Sequence, residues 1–375
     1  MLDSLSYNEG MKLIVQIKAE PEQPQALLDM ITRFNLACNW LSAIAFKEHI
    51  FHWLPLQRRV YRELRERFNF TAAETLVAIR KVAYAYRYKA RRSTLATFRP
   101  LGSIPLFKHV YYGDETVRLY GLRMPFHNHR PEPLPKYPKE GTLSYRDGQF
   151  YIHQVIEVEV PEPYQPQGFL GCDLGVVNIL VDSEGQVYSG GKVNGLRKRH
   201  ARLRARLQSI GTRSARRLLR KRRRREGRFA RDVNHVISKK VVAKAKTATW
   251  GIALEDLKGI RERTQVRKAD RRQHHSWAFD QLRQFLTYKA ALAGVALVLV
   301  DPHNTSRTCP ECGHIDKANR VSQAEFRCQR CGFCHHADSV AARNIARRAV
   351  LGRASGDTPD APPPEEMCKS LAEVT

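Results

Sequence analysis

Thr308-Cys309-Pro310-Glu311-Cys312-Gly313 and Cys328-Gln329-Arg330-Cys331-Gly332, followed by His336-Ala337-Asp338, form the stretch from which the rest of the chain can be read. Two residues separate the cysteines within each pair, and fifteen residues separate the pairs. Two short turns with that spacing suit a tetrahedral zinc site with Cys309, Cys312, Cys328 and Cys331 as ligands. Gly313 and Gly332 each follow the second cysteine of a pair. There the chain folds back over the metal, and a residue without Cβ is tolerated best. Two disulfides or four idle thiols are the bland alternative. Cys334, His335 and His336 sit beside the site and could offer another ligand, although four spaced cysteines already complete a tetrahedron. Asp338 comes seven residues after Cys331 and opens a helical run, so the module is placed to present an acid to something else.

Upstream, Gly294 to Val300 (GVALVLV) is a fully apolar strand, expected inside a sheet. A helix is expected over Gln273 to Leu292, carrying Trp277, Leu282, Phe285 and Leu286. Trp250 to Glu255 reads as a buried strand ending in a carboxylate. Phe169-Leu170-Gly171-Cys172-Asp173 reads the same way, followed by strands at Val176 to Val181 and around Gln186-Val187-Tyr188. A strand hairpin followed by alternating helices and strands, with acids ending two central strands and starting a last helix, is the arrangement of an RNase H-like nuclease core. Asp173, Glu255 and Asp338 would then bind two divalent ions roughly 3.5–4 Å apart. Hard carboxylate oxygens suit Mg²⁺. For any one of these acids taken alone, capping a turn is the simpler role.

Charge points to the partner. The 375 residues carry 64 Lys and Arg against 37 Asp and Glu, a formal charge of +27. A polyanion is expected, with counterion release from phosphates supplying much of the affinity. The densest segment runs from Arg197 through Arg202, Arg204, Arg206, Arg213, Arg216, Arg217 and Arg220 to Lys221–Arg225 and on to Arg231, on a helical apolar stripe broken near Gly211. The basic residues are not gathered on one amphipathic helix with a Trp/Phe/Leu face, which argues against a membrane surface. No apolar run is long enough to span a bilayer, and Met1-Leu2-Asp3-Ser4 does not open a secretory signal. Cytoplasmic residence is expected. Cys38, Cys172, Cys334 and Cys368 are scattered and need not pair in a reducing compartment.

The N-terminal half begins with a strand at Met11 to Ala19, followed by a helical pattern from Gln25 to about Tyr88, which Pro55 is expected to interrupt. Thr71 and Glu74 make a capping box. The helix behind it interleaves Tyr84, Tyr86 and Tyr88 with Arg80, Lys81, Arg87, Lys89, Arg91 and Arg92. These tyrosines either stack on bases or face a core. Residues 104–160 read as β-rich, with a hairpin turn at Arg146-Asp147-Gly148. The prolines of 161–167 mark a boundary, and the tail from Gly352 is polar, proline-rich and expected to be disordered.

Four stretches now line up: Gly171-Cys172-Asp173-Leu174-Gly175, Leu254-Glu255-Asp256-Leu257, Thr305 to Gly313, and Ala337-Asp338-Ser339-Val340-Ala341-Ala342-Arg343-Asn344-Ile345. In that order they resemble the successive signatures of the TnpB proteins of bacterial insertion sequences, which are similar to type V CRISPR effectors. The resemblance covers about residues 168 to 350, and the N-terminal half matches only in outline. It implies a multidomain α/β chain: a RuvC-like nuclease core with an inserted zinc-ribbon module, and an N-terminal wedge-like β-barrel with a helical recognition insert. The corresponding divisions are 1–22 and 104–167 for the wedge-like parts, 23–103 for the recognition helices, 168–302 and 338–351 for the nuclease core, 303–337 for the zinc ribbon and 352–375 for the tail. It implies an RNA-guided DNA endonuclease that takes a guide RNA from the transposon end and cuts double-stranded target DNA beside a short adjacent motif. Asp173, Glu255 and Asp338 would be its Mg²⁺-binding catalytic acids, and the four cysteines its structural zinc ligands. Prokaryotic cytoplasm, at the nucleoid, is where such a protein would work. An RNA-guided binder without efficient cleavage, a compact type V effector and an unguided zinc-ribbon protein are the alternatives. One departure bears on the first of these alternatives, the binder without efficient cleavage: the family often has Asn two residues after the last Asp, where this chain has Val340.

Overall fold

The computed structural model describes residues 11–106, 110–113, 115–126, 134–136, 140–222, 225–257 and 279–355. The side chains of 89–90, 279 and 353–355 are not described. Trp277 and the start of its helix, Arg223 and Arg224, Cys368 and the tail from 356 therefore lie outside the described residues. The chain divides into two compact units, residues 10–158 and the part from 159 onward.

In the N-terminal unit, β1 (Met11–Ala19) is followed by α1 (Pro24–Lys47), α2 (Trp53–Phe68) and α3 (Ala72–Ala85). Pro55 does not break the helical run as expected. It sits in the first turn of α2, where backbone N–H groups have no intrahelical partner and a proline costs nothing. The interruption falls instead at residues 48–52, with His49 in the left-handed region at φ 56°. The capping box forms as read: Thr71 and Glu74 each accept from the other's backbone N–H. Six strands follow: β2 (Ile104–Leu106), β3 (Val110–Tyr112), β4 (Thr116–Leu119), β5 (Leu122–Pro125), β6 (Gly141–Arg146) and β7 (Gln149–Val158). They make a four-stranded sheet ordered β1-β7-β6-β2 and a three-stranded one ordered β3-β4-β5. The sheet residues Ile17, Ile104 and Ile152 share one apolar core with Phe34, Leu41, Leu64 and Ile79 of the helices.

The C-terminal unit is built on one five-stranded sheet. Its strands are β8 (Phe169–Asp173), β9 (Asn178–Asp182), β10 (Val187–Ser189), β11 (Gly251–Glu255) and β12 (Leu297–Val300). They lie side by side in the order β10-β9-β8-β11-β12. β8, β11 and β12 are mutually parallel, whereas β9 and β10 run antiparallel to their neighbours. Between β10 and β11 come α4 (Gly191–Ile210), α5 (Arg213–Arg222) and α6 (Arg225–Thr247). α7 (Phe279–Leu292) precedes β12, and α8 (Ala337–Ser355) closes the described chain.

Strand alternation divides the residues between the faces of this sheet. Leu170, Cys172, Ile252, Leu254, Leu297 and Leu299 pack with residues of α6 and α7, such as Val241 and Leu286. Phe169, Ala253, Val298 and Val300 pack with Ile345 and Ala349 of α8 on the other face. Both faces are therefore covered, which is why the central strands read as continuous apolar runs. One glycine is decisive. A Cβ on Gly171 would lie 2.1 Å from the Ala342 carbonyl oxygen and 2.6 Å from the Ala346 nitrogen, so only glycine lets α8 cross so close to β8.

Candidate active site and metal centre

Asp173 and Glu255 arrive together because β8 and β11 are parallel neighbours. Gly251 pairs with Phe169 and Leu254 with Cys172, so both acids stand at the same carboxyl edge of the sheet. Two residues along a strand return to the same face, which puts Asp173 with Phe169 and Gly171, and Glu255 with Ala253. That is the α8 face. Asp338 stands in the first turn of α8 and completes the group.

Asp173 feels the other two carboxylates. Burial pushes Asp173 up to about 8, and the negative charges of Glu255 and Asp338 add to the rise, against the opposing pull of the Arg320 cation. Glu255 is also raised, by burial first. The Thr305 hydrogen bond and the cations of Arg348 and Arg320 hold it back, while Asp301 adds to the rise. Three carboxylates gathered here are only partly offset by the Arg320 and Arg348 cations, and a divalent cation would relieve the remaining cost directly. In donor chemistry the set fits a hard cation such as Mg²⁺. It is more open than the cysteine site, however. Among the described residues only the four cysteines form a group of three or more His, Cys, Asp or Glu whose ligand atoms all lie within 4.8 Å of one another.

Four residues around the acids escaped the sequence reading. Asn178, the first residue of β9, donates from Nδ2 to Asp338 Oδ2 at 2.9 Å. Thr305 Oγ1 donates to Glu255 Oε1 at 2.5 Å. Asn344 of α8 is buried and donates from Nδ2 to the carbonyls of Thr305 and Thr308, at 2.7 Å each. Arg320, which lies between the two cysteine pairs, brings its guanidinium to 4.0 Å from Asp338 Oδ1. Thr305 and Asn344 do lie inside stretches already singled out for their motifs. Asn178 and Arg320 carried no signal, because only the fold brings a strand start and a module loop to a helix 160 and 18 residues away.

The cysteine module is two matching turns. In the first, Cys309 N–H donates to His314 O and Gly313 N–H to Cys309 O. In the second, Cys328 N–H donates to Phe333 O and Gly332 N–H to Cys328 O. Gly313 and Gly332 adopt φ of 72° and 74°, the left-handed region anticipated for them. No disulfide joins the described cysteines. The Sγ atoms of Cys309 and Cys331 are 3.6 Å apart and those of Cys312 and Cys328 3.5 Å apart. A tetrahedral ZnS₄ centre with Zn–S of about 2.3 Å has edges near 3.8 Å, so the cage has the size for such an ion. Burial works to raise the Cys328 thiol, but the N–H groups of Cys331 and Arg330 and the neighbouring thiols outweigh it and bring it down to about 6. Cys309 and Cys331 are shifted the other way. Burial and the Cys312 thiol raise Cys309, and, against the pull of the Phe333 N–H, burial and the neighbouring thiols raise Cys331, so it is at Cys328 that the thiolate a metal needs is favoured. Cys334, His335 and His336 form the exposed strand β14 (Cys334–His336), paired with β13 (Glu325–Arg327), and stay outside the sulfur cage.

Val340 is fully buried against Cys309, Phe326, Cys328 and Ala337, joining α8 to the module's core. An amide at that position would be buried among apolar side chains. The amide donor to Asp338 comes instead from Asn178.

The basic segment falls on α4, α5 and α6. Arg202, Arg204, Arg206, Arg213, Arg216, Arg217 and Arg220 are all exposed. The one carboxylate in their midst, Glu226, lies 3.6 Å from Arg197 and 3.5 Å from Arg204.

A family model described as a probable transposase, OrfB_IS605, matches residues 153–258, the span holding Asp173 and Glu255. A second, described as the Cas12f1-like TNB domain, matches residues 279–345, the span holding the four cysteines and Asp338. The chain is similar to the TnpB-like protein MJ0751 of Methanocaldococcus jannaschii, 33% identical over 126 residues, which span 33% of this chain and 45% of that protein. A putative RNA-guided DNA endonuclease, InsQ of Escherichia coli K12, is 28% identical over 305 residues, covering 73% of this chain and 74% of InsQ. The CRISPR-associated endodeoxyribonuclease Cas12f1 of Sulfoacidibacillus thermotolerans is 40% identical over 119 residues. That match spans 32% of this chain and only 27% of the relative's length. The cryo-EM structure of a Cas12f1–sgRNA–target DNA complex superposes with a TM-score of 0.58 at 14% identity, over 86% of this chain and 83% of the other. At that identity the likeness is one of fold, a mixed α/β architecture of more than one unit. No described helix is long and apolar enough to cross a membrane.

Proposed function

We propose that this chain is a TnpB-type RNA-guided DNA endonuclease: it holds a guide RNA from the end of its element and hydrolyses double-stranded target DNA beside a short adjacent motif. The observation that carries the reading is the meeting of Asp173, Glu255 and Asp338, from two parallel strand ends and a later helix, at one edge of the five-stranded sheet. A sheet ordered β10-β9-β8-β11-β12 in which only β9 runs against the other strands supports an RNase H-like, RuvC-type core over 168–302 and 338–351. The module at 303–337 is then its zinc ribbon. The N-terminal sheets over 1–22 and 104–167 are the wedge-like part, and the helices of 23–103 the recognition insert.

In this reading the three acids hold two Mg²⁺ ions, and Cys309, Cys312, Cys328 and Cys331 hold a structural Zn²⁺. The Mg²⁺ ions supply the charge that activates the attacking water and stabilises the departing oxygen. The protein supplies the positions. Thr305 fixes the rotamer of Glu255 and Asn178 that of Asp338, so neither carboxylate must be ordered as the substrate binds. Arg320 places a cation at the edge of the cluster, where phosphate charge would arrive. The arginines of α4 and α5 offer a charged surface for a nucleic-acid backbone, while base pairing with the guide supplies sequence choice.

An RNA-guided binder without cleavage draws its support from the missing amide at position 340; the hydrogen bond that Asn178 donates to Asp338 supports the cleaving reading. The decisive experiment compares wild type with Asp173→Ala, each loaded with RNA, on a matched duplex bearing the adjacent motif, in Mg²⁺. Cleavage should vanish in the variant while RNA binding persists. Undiminished cleavage would sink the assignment of Asp173.

A further inference from the structure

The three tyrosines that interleave with arginine at the end of α3 do not share one fate. Tyr86 is a core residue: it is fully buried, its hydroxyl lies 2.7 Å from Ser42 Oγ, and it accepts from the Ala96 N–H. Tyr84 and Tyr88 point the other way, 66% and 52% exposed, more than any other described aromatic side chain of its large hydrophobics. Rings so exposed contribute little to the fold, because burial of apolar area is what stabilises it. They are nevertheless held in place. The Arg87 guanidinium lies 5.6 Å from the Tyr84 centroid and 5.2 Å from that of Tyr88, and Arg91 lies 5.9 Å from Tyr88. Arg87 Nη1 also reaches the Tyr84 hydroxyl at 3.5 Å. Among the described residues no carboxylate pairs with Arg87 or Arg91.

We infer that Tyr84, Arg87, Tyr88 and Arg91 form a stacking ladder for an unpaired stretch of RNA. The inference rests on the nucleic-acid reading above and says where, and in what state, the strand is held. An exposed ring face accepts the face of any base, and an uncompensated guanidinium beside it meets the phosphate of the same nucleotide. A paired helix hides its base faces, so the ladder selects single strands by chemistry rather than by sequence. The alternation of ring and cation on one surface gives each base a ring and each phosphate an arginine.

The test uses the full-length protein and three probes of one sequence: single-stranded RNA, the same RNA in a duplex, and single-stranded DNA. Wild type, Tyr84→Ala/Tyr88→Ala, Tyr84→Phe/Tyr88→Phe and Arg87→Ala/Arg91→Ala are titrated by anisotropy over a range of salt. The alanine pair should weaken single-stranded RNA binding about ten-fold or more, and leave duplex binding within about two-fold. The phenylalanine pair, which keeps both rings, should bind as wild type does. The arginine pair should flatten the plot of log affinity against log salt by about 1.4, two phosphate contacts at about 0.7 each. The tyrosine pair should leave that slope alone. Equal loss on duplex and single strand, loss confined to DNA, loss in the phenylalanine pair, or no loss with alanine would each overturn the ladder. Failure of wild type to bind any RNA would instead overturn the broader nucleic-acid reading. Because both tyrosines are exposed, all variants should melt with wild type, which the same samples can show.

Discussion

Replacing Gly171 with alanine adds one methyl group at the most crowded of the described glycines. That methyl would sit 2.1 Å from the Ala342 carbonyl oxygen, 2.6 Å from the Ala346 nitrogen and 3.0 Å from the Ala346 Cβ. The first two neighbours are backbone, so no rotamer change relieves the clash. To restore an ordinary carbon–oxygen contact α8 must retreat by about 1 Å, since close-packed interiors accommodate added volume by shifting whole elements. Overpacking of this kind costs about 1–3 kcal/mol, and backbone clashes stand at the upper end of that range. For a unit of this size each kcal/mol is worth about 2–4 °C, so the thermal midpoint should fall by roughly 4–12 °C. The effect on cleavage should be larger than the effect on stability. Asp338 rides on the same helix, four residues before Ala342, and moves with it. A shift of about 1 Å in a reacting group can cost about 100-fold in rate. The assay is a thermal melt alongside single-turnover cleavage at a temperature where the variant is folded, with zinc content measured to show that the module stays intact. If Gly171→Ala melts within about 1 °C of wild type and cleaves at its rate, the close approach of α8 to β8 does not position Asp338 and the reasoning fails.

Three further outcomes follow from the same geometry. Thr305→Val removes the hydroxyl from Glu255 and should slow cleavage about ten-fold or more, a hydrogen bond to a charged group being worth about 1.5–3 kcal/mol; Thr305→Ser should restore most of the rate and the Mg²⁺ affinity, and equal activity of Val and Ser would remove Thr305 from the site. Asp173 is raised in the folded state from 3.8 to about 8, so between those values the native protein holds the proton that the unfolded chain releases. Its contribution therefore turns against folding as pH rises through that window, by on the order of 4 kcal/mol at pH 7 in metal-free protein, before allowance for water reaching this incompletely buried group. Asp173→Asn should thus melt higher than wild type in EDTA at pH 8 and no higher at pH 4; a variant less stable at pH 8 contradicts the burial argument. Cys309→Ser should lower bound zinc and impair cleavage together, because the sulfur cage, Val340 and the first turn of α8 share one small core; a variant that loses its zinc and still cuts normally would separate the module from the site.

What the sequence reveals and what it hides follow a physical division. The acids at the ends of β8 and β11 are legible because strands covered on both faces are continuous apolar runs, and a carboxylate closing such a run stands out. The cysteines are legible because metal ligands must be close in sequence to make a turn around one ion. Hydrogen bonds between distant segments leave no such trace. Asn178 looks like any polar residue at a strand start, and its partner Asp338 lies 160 residues away. Proline misleads for a related reason: it breaks a helix interior but suits a first turn, and Pro55 can be assigned to one or the other only when the true start at Trp53 is known. The tyrosines at and just beyond the end of α3 are ambiguous in the sequence because alternate residues at a helix end can face either way. Packing against Ser42 decides for Tyr86, and its absence decides for Tyr84 and Tyr88.

The same division explains why the cysteine module sits between β12 and α8. A carboxylate cluster at a sheet edge repels itself and must be held by neighbours that do not depend on the cation. β8 and β11 fix Asp173 and Glu255 at their Cα atoms through the strand ladder, but their side chains remain free to turn. Thr305, at the entrance to the module, takes hold of Glu255, and Asn344 of α8 clamps the backbone of Thr305 and Thr308. Arg320 and Val340 add a charge and an apolar contact from the two ends of the same module and helix. Each link is one to two hydrogen bonds or one buried side chain, so none is strong alone. Together they make the side chain of Glu255 depend on the position of α8, and through α8 on Asp338. A structural ion that rigidifies the module would then set the geometry of a separate hard-cation site without touching it, which is the arrangement that the Cys309→Ser and Thr305→Val variants probe from opposite ends.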